Sequence, residues 1–151
     1  GMERWGDFFT PRQLLALTTL CRLVRQAGEE LAVQHPNGLA EAVQTCLSYS
    51  ISKCADYWNS ITTWMDRGTV GHAFTRQAVP IVWDYPEANP IATFHCSWGE
   101  SYEWAAGVCE AEARIGPLTG TVECCSATAQ PLPDEAVQAL VTDPPYYDAV
   151  P

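Results

Sequence analysis

The sequence predicts a mainly α-helical chain that closes with two short β-strands. Three observations carry this. Thr10-Pro11-Arg12-Gln13 is a helix-start signature, a capping box with proline at the first helical position. Apolar residues then recur every three or four positions along two long stretches. From Gly120 that period stops, and two short runs, Thr121-Val122-Glu123-Cys124-Cys125 and Val137-Gln138-Ala139-Leu140-Val141-Thr142, read as strands.

The first helix is expected from Thr10 to about Val33. Leu14, Leu17, Cys21, Val24 and Leu31 mark its apolar face, and Gly28 is a weak point within it. His35-Pro36-Asn37-Gly38 reads as a turn. A second helix is expected from Leu39 to Arg67, because Leu39, Val43, Leu47, Ile51, Cys54, Trp58, Ile61 and Met65 form one stripe; Gly68 is its natural stop. So short a connection predicts an antiparallel pair. Residues 69–100 read as an ordered loop anchored by Trp83, Tyr85, Phe94 and Trp98, with a short helix near Ala73–Ala78. A third helix is expected from Ser97 or Ser101 to Arg114, carrying Tyr102, Ala105, Ala106, Cys109 and Ala113 and ended by Gly116-Pro117. The organisation is a helical region over 1–116 followed by a second region over 117–151.

Composition narrows the function classes. A 151-residue chain, 47% hydrophobic with six Trp, can bury a real core and is not disordered in type. No stretch approaches the ~20 apolar residues of a membrane span, and no charged-then-apolar segment opens the chain. The expectation is a cytoplasmic protein with no membrane partner. Eight Lys and Arg against eighteen Asp and Glu give a net charge of -10. Nucleic-acid binders neutralise phosphate with a basic patch, so this chain by itself is not expected to grip DNA. The seven Cys include no Cys-x-x-Cys, and Cys124 and Cys125 are adjacent, so the thiols read as reduced and buried. Cys46 and Cys54, eight apart on one helix, are taken as small core residues.

The tail carries the chemistry. Ala139-Leu140-Val141-Thr142 leads into Asp143-Pro144-Pro145-Tyr146-Tyr147-Asp148. This resembles the strand and amine-methylating loop of S-adenosylmethionine-dependent methyltransferases. Ser126-Ala127-Thr128 and Leu132-Pro133-Asp134 precede it, in the order that family uses. The segments Phe9–Leu17 and Arg76–Tyr85 are similar to the adenine-specific DNA methylases that carry a zinc-ribbon insertion.

The resemblance implies an α/β fold of class I for the intact protein, of which this chain holds the helical region and part of a Rossmann-like sheet. It implies methylation of the exocyclic amine of a flipped adenine. The catalytic residues would be Asp143, Pro144, Pro145 and Tyr146, with Ser126 near the cofactor's adenine. The glycine-rich cofactor loop and the zinc-ribbon cysteines do not occur in the sequence. The chain is therefore expected to be an internal fragment, inactive alone, with S-adenosylmethionine and DNA as cofactor and partner of the intact protein only. The missing strands would leave two unpaired sheet edges, which predicts that the chain pairs those edges with another copy, as a homo-oligomer, or rearranges them.

The residue types suit that chemistry. An adenine amine is a weak nucleophile because its lone pair is delocalised into the ring. Two acceptors, the Asp143 carboxylate and the Pro144 carbonyl on a stiff backbone, would hold its hydrogens and favour a pyramidal nitrogen. Tyr146 would stack on the extruded base, and Asp143 would stabilise the positive charge that develops. The bland reading makes Asp-Pro-Pro-Tyr a strand-ending turn, and the chain a helical interaction module with no catalytic role. His35, His72 and His95 are too far apart in sequence to spell a metal motif. Trp58, Trp64 and the Trp83-Tyr85 pair read as core anchors.

Overall fold

Capping fixes where the first helix begins. Thr10 Oγ1 accepts the Gln13 N–H at 3.3 Å, and Gln13 Oε1 accepts the Thr10 N–H at 2.8 Å. A computed structural model describes residues 2–75, 78–116 and 120–144. The chain divides into two units, Gly1–Arg114 and Ile115–Pro151.

The first unit opens with a short 3-10 turn, Trp5–Phe8, and then three α-helices: α1 Pro11–Gln34, α2 Leu39–Tyr57 and α3 Trp98–Ala113. Gln13, Leu17, Val24 and Gly28 form the buried stripe of α1, at spacings of four, seven and four residues. α1 and α2 run antiparallel. Gln44, early in α2, reaches Val24 and Arg25, while Leu17, early in α1, shares a core cluster with Cys54, Tyr57 and Trp58. α3 runs antiparallel to α2, since Cys46 meets Cys109 and Lys53 meets Trp104. Gly28 makes room for the Gln44 side chain at the α1–α2 contact. A Cβ there would sit 2.0 Å from Gln44 Cδ, so the glycine leaves room for Gln44 to cross α1 and donate to the Val24 and Arg25 carbonyls.

The second helix stops ten residues short of the expected Arg67. Asn59 ends it. Its Nδ2 donates to the Ala55 and Asp56 carbonyls at 2.9 and 3.0 Å, and its Oδ1 accepts the Ile61 N–H at 3.1 Å. Carbonyls left open at the helix end are thereby satisfied by a side chain. The chain then forms a hairpin, β1 Trp64–Met65 with β2 Thr69–Val70, antiparallel with Trp64 opposite Val70 and Met65 opposite Thr69. Gly68 (φ 78°) supplies the left-handed turn position; it closes a hairpin and not a helix. The spacing of Ile61 and Met65 mimicked a helical stripe: Ile61 is buried but Met65 is exposed. No helix forms at 73–75 or at Ala78; these residues bend, and Asp56 takes the amides of Ala73 and Phe74. Arg76 and Gln77 lie outside the described residues.

Trp58 seats the core. It is 1% exposed, packs with Leu17, Cys54, Tyr57, Val70 and Cys96, and donates from Nε1 to the Cys96 carbonyl at 2.6 Å. Cys96 is itself fully buried, in the left-handed region at φ 71°. That conformation costs a non-glycine residue about 1 kcal/mol. It is held from both sides: the Cys96 N–H donates to Glu100 Oε2 at 3.0 Å while its carbonyl receives Trp58. Trp64 and Trp83, expected as core anchors, are exposed, and Trp83 wholly so. Neither belongs to a core cluster, whereas Trp58 has both an apolar slot and a hydrogen-bond acceptor.

The second unit corrects the expected strands. Residues 120–144 are irregular and exposed throughout, with local turns closed by Ala129 N–H to the Ser126 carbonyl and Ala136 N–H to the Pro133 carbonyl. No strand forms at 121–125 or 137–142. A strand needs a partner for its amides and carbonyls, and among the described residues none lies alongside; Val122, Leu140 and Val141 stay exposed. The sheet edges expected to pair with a second copy are therefore not formed in these residues. Among the described residues no helix is long and apolar enough to cross a membrane.

Trp58→Phe should lower unfolding free energy by about 2 kcal/mol in urea titration, because it leaves the buried Cys96 carbonyl without its donor and opens a small void.

Candidate functional site

The tail residues singled out by sequence stand as follows. Asp143 and Pro144 lie in exposed, irregular chain; Pro145 and Tyr146 lie outside the described residues. Ser126 sits in a turn, its hydroxyl 2.9 Å from that of Thr128, on an exposed stretch. An exposed hydroxyl engaged with its neighbour two residues on forms no cradle for an adenosyl group, so Ser126 in this arrangement does not fit the cofactor.

The helical unit brings together residues that are distant in sequence. Asp56 and Tyr57 end α2; His72 follows the hairpin; His95 precedes α3. Asp56 Oδ2 lies 2.5 Å from His72 Nδ1, and His72 Nε2 lies 3.2 Å from the Tyr57 hydroxyl. A carboxylate only accepts, so Nδ1 carries the ring proton. In the neutral ring Nε2 then accepts from the Tyr57 O–H. Tyr57 is 3% exposed, with its ring 4.7 Å from His72 and 5.6 Å from His95. Burial first, then the nearby Cys96, Glu100 and Asp56, push the Tyr57 hydroxyl up to about 12. It is therefore a proton donor and not a nucleophile.

Each of these groups also has a structural task. Asp56 Oδ1 takes the Ala73 and Phe74 amides at 2.9 and 2.8 Å, tying the segment after the hairpin to the end of α2. Glu100 plays the same part at the start of α3: Oε1 meets His95 Nδ1 at 3.2 Å and Oε2 takes the Cys96 amide. Burial would raise the Glu100 pKa, but the Cys96 N–H, Lys53 and His95 together outweigh it and hold the carboxyl low. At the other end of the unit, Glu87 accepts from Thr10 and pairs with Arg12 at 2.6 Å, and its pKa is lowered by Thr10 first and Arg12 second. Among the described residues no group of three His, Cys, Asp or Glu could hold a metal ion.

Beside Tyr57 runs a groove of about 820 Å³ between α2 and α3, lined among others by Tyr49, Lys53, Tyr57, His72, Trp104 and Val108. Lys53 Nζ stands 4.7 Å from the Trp104 ring centroid. A cation over an indole at the wall of an apolar groove can orient a planar or anionic group. Sequence reasoning missed this convergence. Asp56 and His72 are separated by a hairpin the helical spacing concealed, and no short motif links them. Comparison with family models, with curated proteins and with solved structures returns no match.

Asp56→Asn should destabilise the unit by about 1–3 kcal/mol, because an amide N–H₂ would face the His72 Nδ1–H; adding His72→Gln should cost little more, since the two share one network. Stability should also fall in acid. The depressed folded-state pKa values of Glu87 and Glu100 contribute stability above the ordinary glutamate value of 4.5, lost as pH falls through the folded values. Thermal melting across pH 3 to 6 checks this (roughly the carboxylate range), and Glu100→Gln should flatten the acid limb.

Proposed function

We propose that the chain is a segment of an S-adenosylmethionine-dependent DNA adenine methyltransferase, with Asp143-Pro144-Pro145-Tyr146 as its amine-binding loop. The observation that carries this reading is the tail itself: the apolar residues Ala139-Leu140-Val141, then Thr142, lead into an acid, two prolines and a tyrosine in immediate succession. Asp143 is exposed, in contrast to Asp56, whose carboxylate is occupied by two amides and an imidazole. In the intact enzyme Asp143 and the Pro144 carbonyl accept the two amine hydrogens, and Asp143 offsets the charge gained by the nitrogen. Tyr146 stacks on the flipped base. The methyl donor is held by a glycine-rich loop that is not in this sequence, and DNA is gripped by residues other than this acidic segment.

A second reading, a helical interaction module without catalytic role, draws on the exposed Val79, Ile81 and Trp83, since an exposed apolar run commonly marks a contact surface.

In a protein joining this segment to the glycine-rich loop, Asp143→Ala should abolish methyl transfer to adenine in DNA while the helical circular dichroism is unchanged. Retained transfer removes Asp143 from the chemistry. Titrated with S-adenosylmethionine, the chain alone should give no binding heat; micromolar binding would overturn the assignment of the cofactor to the glycine-rich loop. Under the second reading Asp143→Ala is silent, and Trp83→Asp instead disrupts complex formation.

A further inference from the structure

Two thiols meet across the α2–α3 contact. Cys46 Sγ and Cys109 Sγ are 3.6 Å apart, against about 2.05 Å for a disulfide. The antiparallel α2 and α3 place the two sulfurs opposite each other across the helix contact. Their surroundings differ. Cys109 is exposed and Cys46 half-buried. The hydrogen bond to Cys109 first, and burial second, raise the Cys46 pKa and keep it a thiol. Cys54 and Cys96 are sealed in the core, where burial raises both thiols, Cys54 to about 11. Cys46 and Cys109 also line the groove that holds Lys53, Tyr57 and Trp104.

We propose that Cys46 and Cys109 form a hydroperoxide-responsive dithiol that closes to a disulfide tying α2 to α3 at the rim of this groove. This goes beyond the methyltransferase reading and does not depend on it. Cys109, the accessible sulfur, attacks the peroxide as thiolate. An S–O bond forms, the O–O bond breaks, and the departing hydroxide takes up the proton that Cys109 released. Cys46 then attacks the sulfenic sulfur. The S–S bond forms, the S–O bond breaks, and the Cys46 proton leaves with hydroxide as water. Two thiols and one hydrogen peroxide give one disulfide and two waters, and a thiol reductant reverses the change. The closed form links the middle of α2 to the last turns of α3 and restrains the groove between them.

The test treats the full chain with hydrogen peroxide, blocks remaining thiols and maps tryptic peptides. Peptides 26–53 and 77–114, which carry Cys46 and Cys109, should appear joined and about 2 Da lighter than their sum. Fragment ions should place the bridge at Cys109 and not at Cys96. Oxidation should raise the thermal midpoint by about 5–10 °C, reversibly with dithiothreitol. Cys46→Ala and Cys109→Ala, first shown to keep their helical circular dichroism, should lose both the joined peptide and the shift. Sulfinic acid accumulating on Cys109 while Cys46 stays free overturns the proposal. So does a joined peptide bridged at Cys96, or a wild-type midpoint that oxidation leaves unchanged.

Discussion

The helical unit depends on the burial of Trp58 against Cys96. The indole is almost fully buried at the end of α2, and a buried indole N–H needs an acceptor. The Cys96 carbonyl answers that need only because Cys96 adopts a left-handed backbone, with its N–H held by Glu100. One hydrogen bond thus joins the end of α2 to the entry of α3 across 38 residues. It also explains the closeness of Leu17 and Val70, which close the same cluster from α1 and from the hairpin.

The carboxylates follow the same logic. Asp56 and Glu100 each bind a histidine with one oxygen; with the other, Asp56 takes two backbone amides and Glu100 takes one. Both stand where the chain leaves or enters a helix, and both hold irregular backbone against the core. An Asp–His–Tyr array invites a catalytic reading. Here the Tyr57 hydroxyl is a buried donor with a raised pKa, and Asp56 is already committed to two amides. The array is a clamp that fixes one histidine tautomer at the wall of the adjoining groove.

The second unit presents the opposite case. Its most chemically specific residues sit on chain with no core of its own among the described residues, and Val122, Leu140 and Val141 face solvent. A loop that must hold an amine between a carboxylate and a carbonyl needs rigid support on both sides. Among the described residues, 120–144 have no such support alongside them.

Where the determinants are local, the sequence alone was sufficient. The Thr10 capping box sets the start of α1 and Leu39 follows the turn into α2; of the two starts the sequence offered for α3, Ser97 and Ser101, Ser97 is the one whose hydroxyl accepts the Glu100 amide. These are hydrogen bonds within four residues, written in residue type. Likewise the motif at Asp143 is a contiguous string, legible without a fold. Asn59 ends α2 through local hydrogen bonds that the helical spacing of Ile61 and Met65 concealed, whereas the hairpin at 64–70, the convergence of His72 and His95 on Tyr57, and the meeting of Cys46 with Cys109 were decided by tertiary structure. Ile61 and Met65 keep helical spacing, yet Asn59 spends its side chain on terminal carbonyls and the chain turns. Burying Trp58 and pairing distant backbone groups is a non-local gain, and periodicity along the chain carries no trace of it.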